Sequence, residues 1–124
     1  MKKTASKKLE PNFKVWLSTL DKQDSFGDGK WRLLKEIDTT GSLQSACRNL
    51  GISYRKAWGD LKSAESSLDF ALVERKRGGS HGGKTELTDK GNEWLKAYER
   101  FHKQIEKSTQ AAYEKHFKNL KRNG

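Results

Sequence analysis

The chain has 124 residues, enough for one ordinary domain and too few for a catalytic domain plus a separate sensor. Apolar residues make up 32% and charged residues 34%, so the core is expected to be small. Lysine and arginine number 26 against 16 acidic residues, a net charge of +10, which points to a polyanionic partner.

The N-terminus, MKKTASKKLEPNFK, is basic, yet no apolar run of ~7–15 residues follows it as in an export signal. No stretch approaches the ~18 apolar residues of a membrane span. A basic, flexible arm over residues 1–11 of a soluble, cytoplasmic protein is expected. After Pro11, Phe13, Val15 and Leu17 alternate with other residues, which predicts a half-buried strand over 13–18 with Trp16 on its opposite face. Asp21 to Gly29 reads as a polar loop. Trp31, Leu33, Leu34 and Ile37 then recur at helical spacing up to Gly41, a suitable residue for a helix stop.

Ser42 is a good N-cap for a second helix through Leu43, Ala46, Cys47 and Leu50, which Gly51 ends. Ser53 caps a third, with Tyr54, Ala57, Trp58, Leu61, Ala64 and Leu68 on one face. Gly59 inside it costs ~1 kcal/mol relative to alanine, which suggests a close backbone approach there. Two short helices joined by Leu50-Gly51-Ile52-Ser53 carry the signature of a helix-turn-helix. Phe70 to Arg77 and Lys84 to Leu87 read as strands around a loop of four glycines, forming the hairpin called a wing. Thr88 caps a last helix whose stripe runs through Trp94, Tyr98, Phe101 and Ile105 to Ser108 and Ala112. A helix of 25 to 30 residues is too long for so small a domain unless part of its stripe meets another chain. The expected architecture is mainly α with a small β-hairpin wing, in three parts: the winged helix-turn-helix over 12–88, a dimerisation helix over 89–120 and a basic tail over 121–124. Its core includes Leu34, Ile37, Leu43, Ala46, Cys47, Leu50, Ile52, Ala57 and Leu61.

The third helix opens with Ser53, Tyr54, Arg55 and Lys56. Basic residues are poorly suited to a helix N-terminus, where the macrodipole is already positive, but well suited to a reading turn placed in a DNA major groove. The wing adds Arg75, Lys76, Arg77, Ser80, His81 and Lys84, a density of cations and small residues suited to phosphates or a minor groove. Ser42 and Arg48 of the second helix are placed on the DNA backbone, and Trp16, Tyr98, Phe101, Ile105 and Ala112 at a dimer interface. Gly78-x-x-x-x-Gly83-Lys84-Thr85 satisfies the phosphate-loop pattern of nucleotide triphosphatases, but that chemistry needs a helix directly after the loop, and Glu86-Leu87-Thr88 is not one. Ser53-x-x-Lys56 resembles an acyl-enzyme motif without its partner motifs. His81, His102 and His116 lack metal-ligand spacing, and the lone Cys47 excludes a disulfide framework or multi-cysteine zinc cage and suits a reducing compartment. No catalysis, metal or cofactor is expected.

Taken together, Gly51-Ile52-Ser53-Tyr54 with Ala57-Trp58, Val73-Glu74-Arg75 before the double-glycine wing, and Leu87-Thr88 with Gly91 resemble one family. The chain is similar, from about Phe13 to Ile105, to the N-terminal DNA-binding domain of molybdate-responsive regulators of the ModE type, which is related to that of LysR-type regulators. The resemblance implies a dimer on an inverted-repeat operator in double-stranded DNA, with Ser53 to Lys56 in the major groove. Where ModE-type regulators continue into a molybdate-binding domain, this chain is expected to stand alone, without its own oxyanion sensor; either a separate sensor protein supplies the signal, or the domain represses or activates without a ligand, or the sequence is a piece of a longer protein. The competing expectation is a winged-helix module for protein interaction or non-specific nucleic-acid (RNA) binding.

Overall fold

Small capping residues and left-handed stops divide the middle of the chain into short helices. The computed structural model describes residues 7–77 and 83–120. The elements in order are β1 (Leu17–Ser18), β2 (Ser25–Phe26), α1 (Asp28–Thr40), α2 (Leu43–Leu50), α3 (Tyr54–Leu68), β3 (Val73–Lys76), β4 (Lys84–Leu87) and α4 (Asp89–Phe117). The chain divides into two units, Val15–Glu99 and Met1–Lys14 with Arg100–Gly124. The first turns of α4 thus belong to the larger unit.

At the corner between α2 and α3 the backbone bonds follow from one glycine. Gly51 adopts φ 69°, a left-handed conformation that costs a residue without Cβ little. Its N–H donates to the Arg48 carbonyl and that of Ile52 to the Cys47 carbonyl, so two end carbonyls of α2 are satisfied while the chain reverses. Ser42 and Ser53 cap the two helices: their hydroxyl oxygens accept from the Ser45 and Lys56 amides, both at 3.0 Å. Asp69, also left-handed at φ 64°, ends α3. The Glu65 carboxylate then accepts from the Leu72 and Val73 amides at 2.7 and 3.3 Å, fixing how the chain leaves α3 for β3.

β3 and β4 pair antiparallel, Arg75 opposite Thr85 and Glu74 opposite Glu86. The Thr85 amide donates to the Gly41 carbonyl at 3.0 Å, so β4 is also anchored on the corner between α1 and α2. Thr88 closes the hairpin onto α4: its amide bonds the Leu72 carbonyl, its hydroxyl donates to the Ala71 carbonyl at 2.6 Å and accepts from the Gly91 amide at 2.8 Å.

The core joins Leu33, Leu34 and Ile37 of α1, Leu43, Ala46 and Cys47 of α2, Ala57, Leu61 and Ala64 of α3, and Leu72, Leu95 and Tyr98. Leu50 and Ile52 pack against it while only half-buried. Three expectations are corrected. The strand over 13–18 shrinks to Leu17–Ser18, which pairs in a small first hairpin with Ser25–Phe26, a strand inside the predicted polar loop. Phe26 is buried, its ring edge-on to those of Trp94 and Tyr98 at 5.5 and 5.0 Å, so aromatic packing from α4 decides this segment rather than its local alternation. Gly59 meets no close backbone from another element: apart from its own stretch of helix, a Cβ there would have no heavy atom within 4 Å. The tight approach lies at Gly91 instead.

Candidate nucleic-acid interface

The first turn of α3 projects Tyr54, Arg55 and Lys56 outward, all exposed, from a start locked by the Ser53 cap. The Arg55 side chain makes no hydrogen bond or ion pair with another described residue. Lys56 pairs with Asp60 one turn on, at 3.2 Å, an exposed contact of little strength. Ser53 itself spends its hydroxyl oxygen on the Lys56 amide. The basic start that the macrodipole disfavours is therefore left uncompensated at Arg55.

An open groove of about 370 Å³ brings three elements together: Ser42, Leu43 and Gln44 at the start of α2, Tyr54 at the start of α3, and Arg75, Gly83, Lys84 and Thr85 of the hairpin. The free amides of an α2 N-terminus and two cations thus border one groove, an arrangement that attracts an anion. The Ser42 hydroxyl oxygen accepts from the Ser45 amide as a cap, which leaves its hydrogen able to donate at the groove beside the backbone and Gln44. Gln44 was not singled out from the sequence, although its place in the first turn after a capping serine was a readable signal.

Alternation along β3 sends Arg75 to the same side as buried Val73. Its guanidinium lies over the Trp58 ring, 4.7 Å from the centroid, and donates to the Tyr54 hydroxyl oxygen. Trp58, which the sequence places on the apolar face of α3 and in the family motif, is half-buried, and Lys62 covers it too, at 5.8 Å. On the outward side of the hairpin Lys76 pairs with Glu86 at 3.3 Å and with Glu74 at 3.9 Å, so its charge is offset by two carboxylates. The side chains of Arg77 and Lys84 are exposed, with no hydrogen-bond or ion-pair partner among the described residues. Ser80 and His81 lie outside the described residues. Arg48, in the last turn of α2, is exposed and does not border the groove.

The residues read as a dimer surface divide. Tyr98 is 2% exposed and donates its hydroxyl to the Val15 carbonyl at 3.1 Å, so it is a core residue and leaves that set. Burial, with the Asp28 charge adding to it, pushes its phenol above the ordinary value. Trp16 is 56% exposed. In the unit formed by the two ends of the chain, Phe101 and Ala112 are exposed and Ile105 half-buried, and the Phe13 ring lies 5.0 Å from that of His102.

Lys84 and Thr85 begin a strand, not a helix, so the phosphate-loop pattern lacks the helix N-terminus its chemistry needs. Cys47 is buried on the inner face of α2, its thiol reaching the Ser53 carbonyl at 3.8 Å and pushed up by desolvation. Among the described residues, no group of three or more histidines, cysteines and acids could hold a metal ion, and no helix is long and apolar enough to cross a membrane.

A helix-turn-helix followed directly by an antiparallel hairpin that packs beside its second helix defines a winged helix-turn-helix. The profile of the family described as bacterial regulatory helix-turn-helix protein, lysR family, matches residues 29–92, and the chain belongs to that family. It is 37% identical over 89 residues to the transcriptional regulator ModE of Haemophilus influenzae, covering 71% of this chain and 35% of that protein. It is 36% identical over 67 residues to the DNA-binding transcriptional dual regulator ModE of Escherichia coli K12, covering 54% of this chain and 26% of that one. The chain thus spans about a third or less of the curated relatives it matches. In fold it resembles the DNA-binding domain in a crystal structure of a CbnR–DNA complex, with a TM-score of 0.55 and 21% identity over 68% of this chain and 91% of that one.

Proposed function

We propose that this chain is a sequence-specific double-stranded DNA-binding transcriptional regulator, working as a homodimer in the cytoplasm and performing no catalysis. The observation that carries the reading is the exposed Tyr54-Arg55-Lys56 turn beside a groove bordered by Arg75, Lys84 and the start of α2. The first turn of α3 enters the major groove, where Arg55 can bond guanine with two donors. Lys84, Arg77 and the α2 amides hold the flanking phosphates, which fix register without reading sequence. Arg48, Ser80 and His81 join this backbone contact in the proposal. The names of the ModE relatives, one of them described as DNA-binding, favour the same assignment.

Phe101, Ile105 and Ala112 on α4 form the proposed pairing surface, with Trp16 a separate apolar patch in the larger unit. Pairing places two reading helices on an inverted repeat, with half-sites about one helical turn apart. Labelled duplex recovered by selection from a random pool, titrated beside random-sequence duplex at two salt concentrations, tests the reading. A strong preference for the selected duplex is expected. Equal affinities with a steep salt slope would overturn it in favour of non-specific nucleic-acid contact, since phosphate contact alone gives salt dependence without specificity.

A further inference from the structure

Arg75 is the one wing cation with aromatic partners among the described residues. Tyr54, Trp58 and Lys62 follow one another at four-residue spacing, so they line a single face of α3. Tyr54 and Trp58 meet edge to face, 6.2 Å between centroids, and the Arg75 guanidinium comes within 4.7 Å of the Trp58 centroid and 5.9 Å of the Tyr54 centroid. The neighbouring Lys76 pairs with carboxylates, whereas Arg75 has no ion pair with a described residue. Its charge is therefore uncompensated at the groove it borders. A planar guanidinium can stack on one ring and still direct five N–H donors outward in its plane, of which the Tyr54 oxygen takes one.

We infer that Trp58 is a positioning residue for DNA reading, a conclusion that rests on the DNA-binding function proposed above: its indole holds Arg75 against the Tyr54 hydroxyl, so that wing and reading helix meet DNA as one unit. Two consequences follow from the chemistry. Because the Tyr54 oxygen accepts from Arg75, its own hydrogen is free to donate, which favours an acceptor as its DNA partner: N7 of a purine, O6 of guanine, O4 of thymine or a phosphate oxygen. And the spacing between the wing and α3 is fixed before DNA arrives, which reduces the ordering cost of binding.

The test compares the parent with Trp58→Leu, Trp58→Phe and Arg75→Lys, using the selected duplex and a random-sequence duplex, and adds amide hydrogen exchange without DNA. Trp58→Leu should weaken binding to the selected duplex ~5-fold or more while changing random-duplex binding less than ~2-fold, and Trp58→Phe, which keeps a ring, should restore most of the loss. In the free protein, Trp58→Leu should speed exchange in β3 and β4 but not in α1 and α2. Arg75→Lys keeps the charge without the planar face and alters only an exposed side chain, so it must reproduce the faster wing exchange even if Trp58→Leu fails to fold. Equal loss on both duplexes, no loss on the selected one, or unchanged wing exchange in both variants overturns the inference. If the parent itself shows no sequence preference, the DNA-reading function falls, and unchanged or faster wing exchange alone decides whether the tie exists.

Discussion

A Cβ built on Gly91 would lie 2.1 Å from the Leu72 carbonyl oxygen, so even alanine would force the start of α4 away from the segment entering β3. The Thr88 bonds to Ala71 and Leu72 hold that approach closed, so the strain has no soft neighbour to absorb it. Gly91→Ala should cost ~2 kcal/mol or more in urea unfolding, an overpacking penalty against backbone. Gly59 is the reverse case: helical, exposed and with nothing near its missing Cβ. Gly59→Ala should add about 0.5–1 kcal/mol by the same measurement, the helix-propensity difference alone. Arg55, exposed and without a partner among the described residues, belongs to neither class. Arg55→Ala should leave the unfolding curve in place and weaken binding to the selected duplex by ~1–3 kcal/mol, relaxing preference at one base position. A variant that bound selected and random duplex as the parent does would remove Arg55 from the reading turn.

Among the elements, α1 is fastened to the first turns of α4 by one carboxylate. Glu99 accepts from Lys35 at 2.6 Å and from the Trp31 indole at 3.2 Å, and these two donors, Lys35 first, hold its carboxyl below the ordinary value against the opposing effect of burial. A lowered carboxylate contributes stability that is present above its unfolded value and lost as pH falls through the folded one. Acid unfolding should therefore include a Glu99 component at the low end of the carboxylate range. Glu99→Gln should flatten that part of the stability-against-pH curve, and an identical curve in the variant would deny it. The legibility of the elements follows how local their causes are. α2 and α3 could be read closely because Ser42, Gly51 and Ser53 carry their own capping bonds. The first hairpin could not: its strands are two residues each, and Phe26 is buried by Trp94 and Tyr98, some seventy residues on. The site divides in the same way. The exposed placement of Tyr54, Arg55 and Lys56 on the first turn of α3 was legible from a cap and a charge pattern, whereas the stack of Arg75 on Trp58 depends on which side of β3 faces α3. Alternation from Val73 carried that signal, and the density of neighbouring cations masked it.

At the scale of the whole molecule, the exposed apolar residues of α4 and the +10 charge lead to separate measurements. Phe101→Glu and Ile105→Glu should each shift the protein from dimer to monomer in sedimentation equilibrium, because a carboxylate placed in a pairing surface loses its water without gaining a partner. Both variants should keep the helical signal of the parent, since neither side chain belongs to the buried core. A parent that is already monomeric at micromolar concentration would rule out α4 as the pairing surface. The placement of the tryptophans has one more consequence. Trp31, Trp58 and Trp94 pack on the core and Trp16 lies 56% exposed in the first segment, but of the four Trp58 alone touches both Tyr54 and Arg75. Indole emission depends on the electric field across the ring, so a polyanion docking on Arg75 should change the colour and yield of Trp58 ahead of the other three. Unlabelled DNA should therefore be titratable by intrinsic fluorescence, and Trp58→Phe, which leaves the other three indoles in place, should lose most of the change.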